Sequence, residues 1–165
     1  MNTPVKLSDL ILALEMPSEI YCTYFDRKTS ALVSVEERIL SSLEDGEEED
    51  LDDLADWQEA EYEIAKEIVS DDGSRFIPPP DKFEFHEYHV MEEFIHSIDD
   101  DEAADQLWRA IKGRGAFRIF KDTLHRLGMQ QSWYDYLEEA QREFVIEWAK
   151  ENNVPFEDDL RKSHK

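Results

Sequence analysis

Leu7, Leu10, Ile11 and Leu14 recur at the three- and four-residue spacing of a single helix face, which predicts a helix over 5–14 that Pro17 stops. Two runs of β-branched and aromatic residues follow, 20–25 and 31–35, separated by the polar Asp26-Arg27-Lys28-Thr29-Ser30. That is the pattern of a β-hairpin with a five-residue loop. A short helix is predicted over 36–43. Trp57, Ala60, Ile64 and Ile68 then mark one face of a helix that ends before Asp71-Asp72-Gly73. Phe76 and Ile77 precede three prolines that lack backbone donors, so about 75–77 can form only an edge strand, the third beside the hairpin.

Beyond residue 80 the pattern is helical. A helix over 85–98 stacks Tyr88, Met91, Phe94, Ile95 and Ile98, and Asp99 with Glu102 has capping-box spacing for a helix to about 111. Gly113 and Gly115 break the pattern. A helix over 116–127 turns Phe117, Phe120 and Leu124 inward, and a long one over 130–151 carries Trp133, Tyr136, Leu137, Ala140, Phe144 and Trp148. Asn152-Asn153 and Pro155 close it, and 157–165 reads as a frayed polar tail. The fold class is α+β: a mostly helical single domain over 1–156, with a small antiparallel sheet (hairpin about 20–35, short strand about 75–77) packed on helices.

Charge changes this picture. The 165 residues hold 41 acids against 18 Lys and Arg, a formal net charge of −23. Residues 36–72 alone contain 17 acids and two bases. Within them, 44–53 cannot bury apolar surface and repels itself, which predicts an acidic mobile loop. Such a balance argues against a wide nucleic-acid footprint and against binding anionic membranes. No apolar run approaches the roughly 20 residues of a membrane helix, and the N-terminus lacks the layout of a secretory signal. The lone Cys22 excludes an internal disulfide and any Cys-based metal site. The expectation is a cytoplasmic protein.

Against that acidic background, 109–126 carries six bases (Arg109, Lys112, Arg114, Arg118, Lys121, Arg126) and one acid, Asp122. Gly113-Arg114-Gly115-Ala116-Phe117-Arg118-Ile119-Phe120-Lys121-Asp122, preceded by Met91-Glu92-Glu93-Phe94-Ile95 and followed by Trp133-Tyr134, resembles the signature of an uncharacterised bacterial protein family (a UPF group), G-x-G-A-F-R-x-F-K-D and then W-[YF]. Tyr24-Phe25-Asp26 and Phe76-Ile77-Pro78 match the same pattern more weakly, and the acidic loop looks like an elaboration on it. The resemblance implies a small cytoplasmic bacterial protein. It implies no activity.

Taking Phe117 as the centre of the buried stripe, about 100° per residue sets Lys121, His125 and Arg118 beside that stripe, and Arg114 with them if helix geometry extends back to 114. They would then rim a groove among the helices around Phe94, Phe117 and Trp133. Gly113-Arg114-Gly115 precedes the helix, where free amides and the positive dipole end suit an anion. Arg114 and Arg118 can add forked contacts to carboxylate or phosphate, and Trp133 or Tyr134 a stacking surface. The candidate anion-binding residues are therefore Gly113, Arg114, Gly115, Arg118, Lys121 and Trp133. The ligand would be an acidic protein segment or a phosphorylated small molecule.

A plainer reading stays open, and by composition alone it is the commoner outcome. Asp99-Asp100-Asp101-Glu102 or the acidic segment would neutralise the island internally, and the two glycines would permit a tight helix–helix turn. His86, His89, His96 and Glu93 cluster on a predicted solvent face that closes no metal shell, so no metal or cofactor is assigned. No nucleophile elbow or calcium loop occurs, and Cys22 reads as a small hydrophobe within a strand. The leading function is thus a non-enzymatic binding or regulatory module. Two alternatives remain: an acidic nucleic-acid mimic acting on a basic partner, and a phosphate-handling enzyme using Asp122 or Glu93.

Overall fold

The computed structural model describes residues 3–15, 19–46 and 56–160, and for 56–58 the backbone only. Two compact units divide the chain: Met1–Asp81 together with Val145–Lys165, and Lys82–Phe144. The architecture is α+β and mostly helical.

In the first unit, β2 (Tyr21–Asp26) and β3 (Ala31–Glu36) form the hairpin, and β4 (Phe76–Ile77) pairs antiparallel with β2, giving the order β3-β2-β4. Cys22 faces Val35 across the hairpin, and Phe25 stands between Leu32 and Ile77. The loop closes through Ser30, whose left-handed backbone (φ 59°) lets its N–H reach the Asp26 carbonyl at 2.8 Å. Val35 is buried with Ile39 and Leu40 of α2 (Glu37–Glu44) and with Tyr62 and Ala65 of α3 (Asp56–Ser70). The face expected on α3 is corrected. Ala60 is exposed, Ile64 and Ile68 lie at the margin, and the side chain of Trp57 falls outside the described residues. Tyr62 takes the centre because its ring buries more apolar area than any aliphatic neighbour, while the small Ala65 packs beside it.

Val5 and Lys6 are not helical. They form β1 (Val5–Lys6), parallel to β5 (Phe156–Glu157), and α1 (Leu7–Glu15) starts directly after with Leu7, Leu10, Ile11 and Leu14 buried. The start of α1 is held from the far end of the chain: Asp159 accepts from the Ser8 backbone N–H at 3.0 Å and from the Ser8 hydroxyl. Glu157 and Asp159, read from sequence as part of a frayed tail, thus take part in β5 and this cap. Residues 161–165 lie outside the described residues, as does the expected acidic loop from residue 47 onward.

Asp26 is 3% exposed, at the point where β2, β4 and the hairpin loop meet. Its carboxylate takes both arms of the Arg75 guanidinium, Nε at 2.8 Å and Nη2 at 2.9 Å, and also the Lys28 N–H at 2.9 Å. Arg75 lies over the Phe76 ring at 4.6 Å, and its carbonyl accepts from the Arg27 N–H at 2.9 Å. Asp71 gathers the Gly73, Arg75 and Phe76 N–H groups, fixing the turn that delivers Arg75. The Arg75 fork, above all, holds the Asp26 carboxyl below the usual carboxylate range despite its burial.

The second unit is helical: α4 (Lys82–Phe85), α5 (Glu87–His96), α6 (Asp101–Ala110), α7 (Ala116–Leu127) and the first part of α8 (Gln130–Glu151). Three expectations change here. The helix expected over 85–98 is broken at His86, whose backbone is left-handed (φ 53°), and it ends at Ser97, whose hydroxyl bonds the Phe94 carbonyl at 2.6 Å. Asp100 rather than Asp99 caps α6, accepting from the Glu102 and Ala103 N–H groups, because burial of Ala103, Leu107 and Ala110 fixes where that helix must begin. Phe117 is 44% exposed instead of inward, and Thr123 occupies the core side with Phe120 and Leu124. Gly128 closes α7 in the left-handed conformation (φ 69°), with the Met129 N–H on the Leu124 carbonyl at 2.9 Å.

Asp26→Asn should cost about 2 kcal/mol in urea unfolding at neutral pH, since a buried carboxylate loses its charge-assisted bonds while the part-exposed Arg75 keeps the Glu67 carboxylate at 3.3 Å. The folded-state pKa of Asp26 is depressed, so its contribution is present at neutral pH and is lost as pH falls through the folded value. The stability gap between wild type and variant should therefore shrink below about pH 4. A gap that is constant with pH would contradict the pairing.

Candidate functional site

The roll of α7 decides which of its side chains are available. Phe120 and Leu124 are each 1% exposed. The Phe120 ring meets Trp133 edge-on at 4.9 Å and Phe94 at 6.4 Å, and Phe94 in turn meets Trp133 and Tyr136 at 5.3 Å. Thr123 enters this core because its hydroxyl bonds the Ile119 carbonyl at 2.7 Å, which leaves no polar atom unmatched. With 120, 123 and 124 inward at about 100° per residue, Lys121, His125 and Arg118 fall on the outer side, whereas Phe117, in the first turn, shares the bearing of Leu124 and is nonetheless 44% exposed.

The six bases of the island have different fates. Arg109 is bonded to Asp105, Arg126 reaches the Gln106 amide oxygen at 3.0 Å, and Lys112 lies over the Trp108 ring at 5.4 Å. Arg114, Arg118 and Lys121 are exposed, and no carboxylate among the described residues pairs with them. Asp100, offered by the sequence as a neutraliser, is engaged as the α6 cap.

Packing does not explain the two glycines either. A Cβ at Gly113 would meet nothing within 4 Å, and one at Gly115 would meet only the Arg118 Nη2 and Ile119 Cδ1 atoms at 4.0 Å. Gly115 is required instead by its left-handed backbone (φ 69°), which caps α7 without any side-chain hydrogen bond. Arg118 therefore folds back over an uncapped helix start whose first turn carries no acid. Cations at the positive end of a helix dipole are unfavourable by a few tenths of a kcal/mol. The arrangement is the reverse of α6, where Asp100, Asp101 and Glu102 crowd the same position.

A cleft of about 300 Å³ lies along one side of α7, against the first turns of α8, lined by Lys121, Asp122, Leu124, His125, Gln130, Trp133 and Tyr134. Trp133 is 2% exposed, so it offers only an edge, whereas Tyr134 is 55% exposed. Gln130 Nε2 and His125 Nδ1 stand 2.6 Å apart across the Gly128 turn. Of the sequence candidates, Gly113, Arg114, Gly115 and Arg118 sit at the helix start, and Lys121 and Trp133 line the cleft. Nothing in the residue pattern points to Gln130 or marks Phe117 as a surface residue. The only cue for Gln130 is its position just past the glycine that folds α8 back on α7.

Elsewhere the chemistry is structural. His89 bonds Glu93 at 2.9 Å, and His96 stacks near Trp108 at 5.3 Å. His86 is off the helix, so the three do not share a face, and no metal-sized group of His, Cys, Asp or Glu occurs among the described residues. Burial, with the Glu37 and Glu44 carboxylates, pushes the Cys22 thiol up and keeps it protonated. No helix among the described residues is long and apolar enough to cross a membrane.

A UPF0158 protein of Pseudomonas aeruginosa is 29% identical over 66 residues, which cover 39% of this chain and 43% of that relative. No solved structure matches the chain. The model of the Uncharacterised protein family (UPF0158) matches residues 21–165, from the first strand of the hairpin through α7 and α8 to β5. The chain belongs to the UPF0158 family.

Proposed function

We propose that the protein is a non-enzymatic cytoplasmic binding module whose recognition surface is the outer face of α7, and that it takes an anionic ligand there. The observation that carries this reading is the set of three exposed cations, Arg114, Arg118 and Lys121, without a carboxylate partner among the described residues of a chain with net charge −23. Acids outnumber bases more than two to one, so a base left unpaired is unusual, and three within eight residues more so. Two of them stand where the α7 dipole opposes a positive charge, a local cost that a bound anion would reverse. Long-range repulsion from the acidic remainder would confine anion binding to this face and make it sensitive to salt.

The test is a nitrogen–proton NMR titration with two probes, inorganic pyrophosphate and a short poly-glutamate peptide, at low and high salt. Wild type should show shifts confined to residues around 114–121 that fade with salt. The variant R114A/R118A/K121A should lose them while its thermal melt stays unchanged or rises slightly, because no ion pair among the described residues is removed. Absence of shifts with both probes, or a variant that unfolds, would contradict the reading and make these residues structural.

A further inference from the structure

We infer that the ligand of this face is an acidic protein segment carrying one large apolar side chain, which inserts into the cleft between α7 and α8 while the segment's carboxylates run along Arg114, Arg118 and Lys121. This rests on the anion-binding reading above and narrows its ligand class.

The first reason is that the cations are strung along the chain. Arg118 and Lys121 sit three residues apart on α7, about 4.5 Å along its axis, and Arg114 lies ahead of the helix, beyond the left-handed Gly115. A phosphate group is held by donors that converge on it from several sides. Cations strung out in this way suit a chain: an extended strand turns every second side chain to the same side, about 7 Å apart, so alternate carboxylates of one segment meet successive cations.

Apolar surface among the cations is the second reason. Phe117 is 44% and Tyr134 55% exposed, and Phe117 lies one turn before Lys121 on α7. Free phosphate would leave both rings in water. Aromatic and arginine side chains side by side are the composition of protein interfaces, where the rings bury area at little entropic cost and the guanidinium groups fork onto carboxylates.

The cleft supplies the third. At about 300 Å³ it stands at the small end of pockets that hold whole small molecules. Neither Arg114 nor Arg118 lines it, so a phosphorylated metabolite seated there would reach Lys121 alone among the three cations. Leu124 and the Trp133 edge make one part of the wall apolar, and Lys121, Asp122, His125 and Gln130 rim the rest. That division fits an apolar side chain presented by an anionic backbone segment, with room for one anchor.

The test uses the full chain and a set of short peptides of alternating Glu and Asp whose central residue is Leu, Phe, Trp or Ser, with inorganic pyrophosphate in parallel. Peptides with an apolar centre should bind at least about tenfold more tightly than the Ser peptide, the gain expected from burying one such side chain. Y134A, at the cleft, should erase that preference, and F117S, beside it, should weaken all four peptides alike, both keeping the wild-type melt. Equal binding of all four peptides would overturn the inference and leave the anion reading standing. A pyrophosphate response with no peptide response would do the same. Silence from every probe would remove both. A concentration-dependent dimer in sedimentation that F117S dissolves would identify a second copy of the chain as the occupant, and would also overturn it.

Discussion

Burial of Phe120 and Leu124 against Phe94 and Trp133 sets the rotation of α7, and the exposure of every other side chain on that helix follows from it. The four rings Phe94, Phe120, Trp133 and Tyr136 meet edge to face, a geometry that aromatic quadrupoles favour and that resists rotation more than an aliphatic seam does. Once Thr123 satisfies its hydroxyl within its own helix, it can join this core, and Arg118 and Lys121 are carried outward. Their exposure is thus a consequence of packing on the opposite side of the helix. Nothing in that packing requires the outer residues to be basic.

The first unit depends on a different constraint. Its sheet is small and β4 is only two residues long, since the prolines that follow have no donors to extend the ladder. The Asp26–Arg75 fork does there what further strand pairing would otherwise do, tying the hairpin loop to the turn before β4. A pair so placed gives less net stability than its geometry suggests, because both charges lose water, but removing either partner alone is costly. The cap that Asp159 places on Ser8 follows the same logic, a local defect at a helix start mended by a residue 151 positions away.

What the sequence made legible was what short-range physics controls. Alternating β-branched runs placed the hairpin, three prolines limited β4, and spaced apolar residues located the helices. Gly113, Gly115 and Gly128 marked where the chain turns into and out of α7. The island of bases and its flanking aromatics were also visible as residues. Their partners were not, because pairing depends on rotation and on distant groups. Three adjacent aspartates made the α6 cap ambiguous until burial of Leu107 chose Asp100. His86 carries no conformational signal comparable to glycine, yet it breaks a helix. Hydrophobicity favours Phe117 for the core, yet it is exposed, and Thr123 carries no apolar signal, yet the Ile119 carbonyl lets it take a core position.

Anion binding at the start of α7 requires Arg114 and Arg118 to be unengaged in the free protein while Arg75 is held. Side-chain nitrogen relaxation of the arginine Nε–H groups measures this directly, residue by residue, on the ligand-free chain. The Arg75 group should be as ordered as the backbone around it, whereas those of Arg114 and Arg118 should be highly mobile on the picosecond-to-nanosecond scale. Order at Arg114 and Arg118 equal to that at Arg75 would mean that the protein's own carboxylates already occupy them, and the binding face would be a structural ion-pair surface.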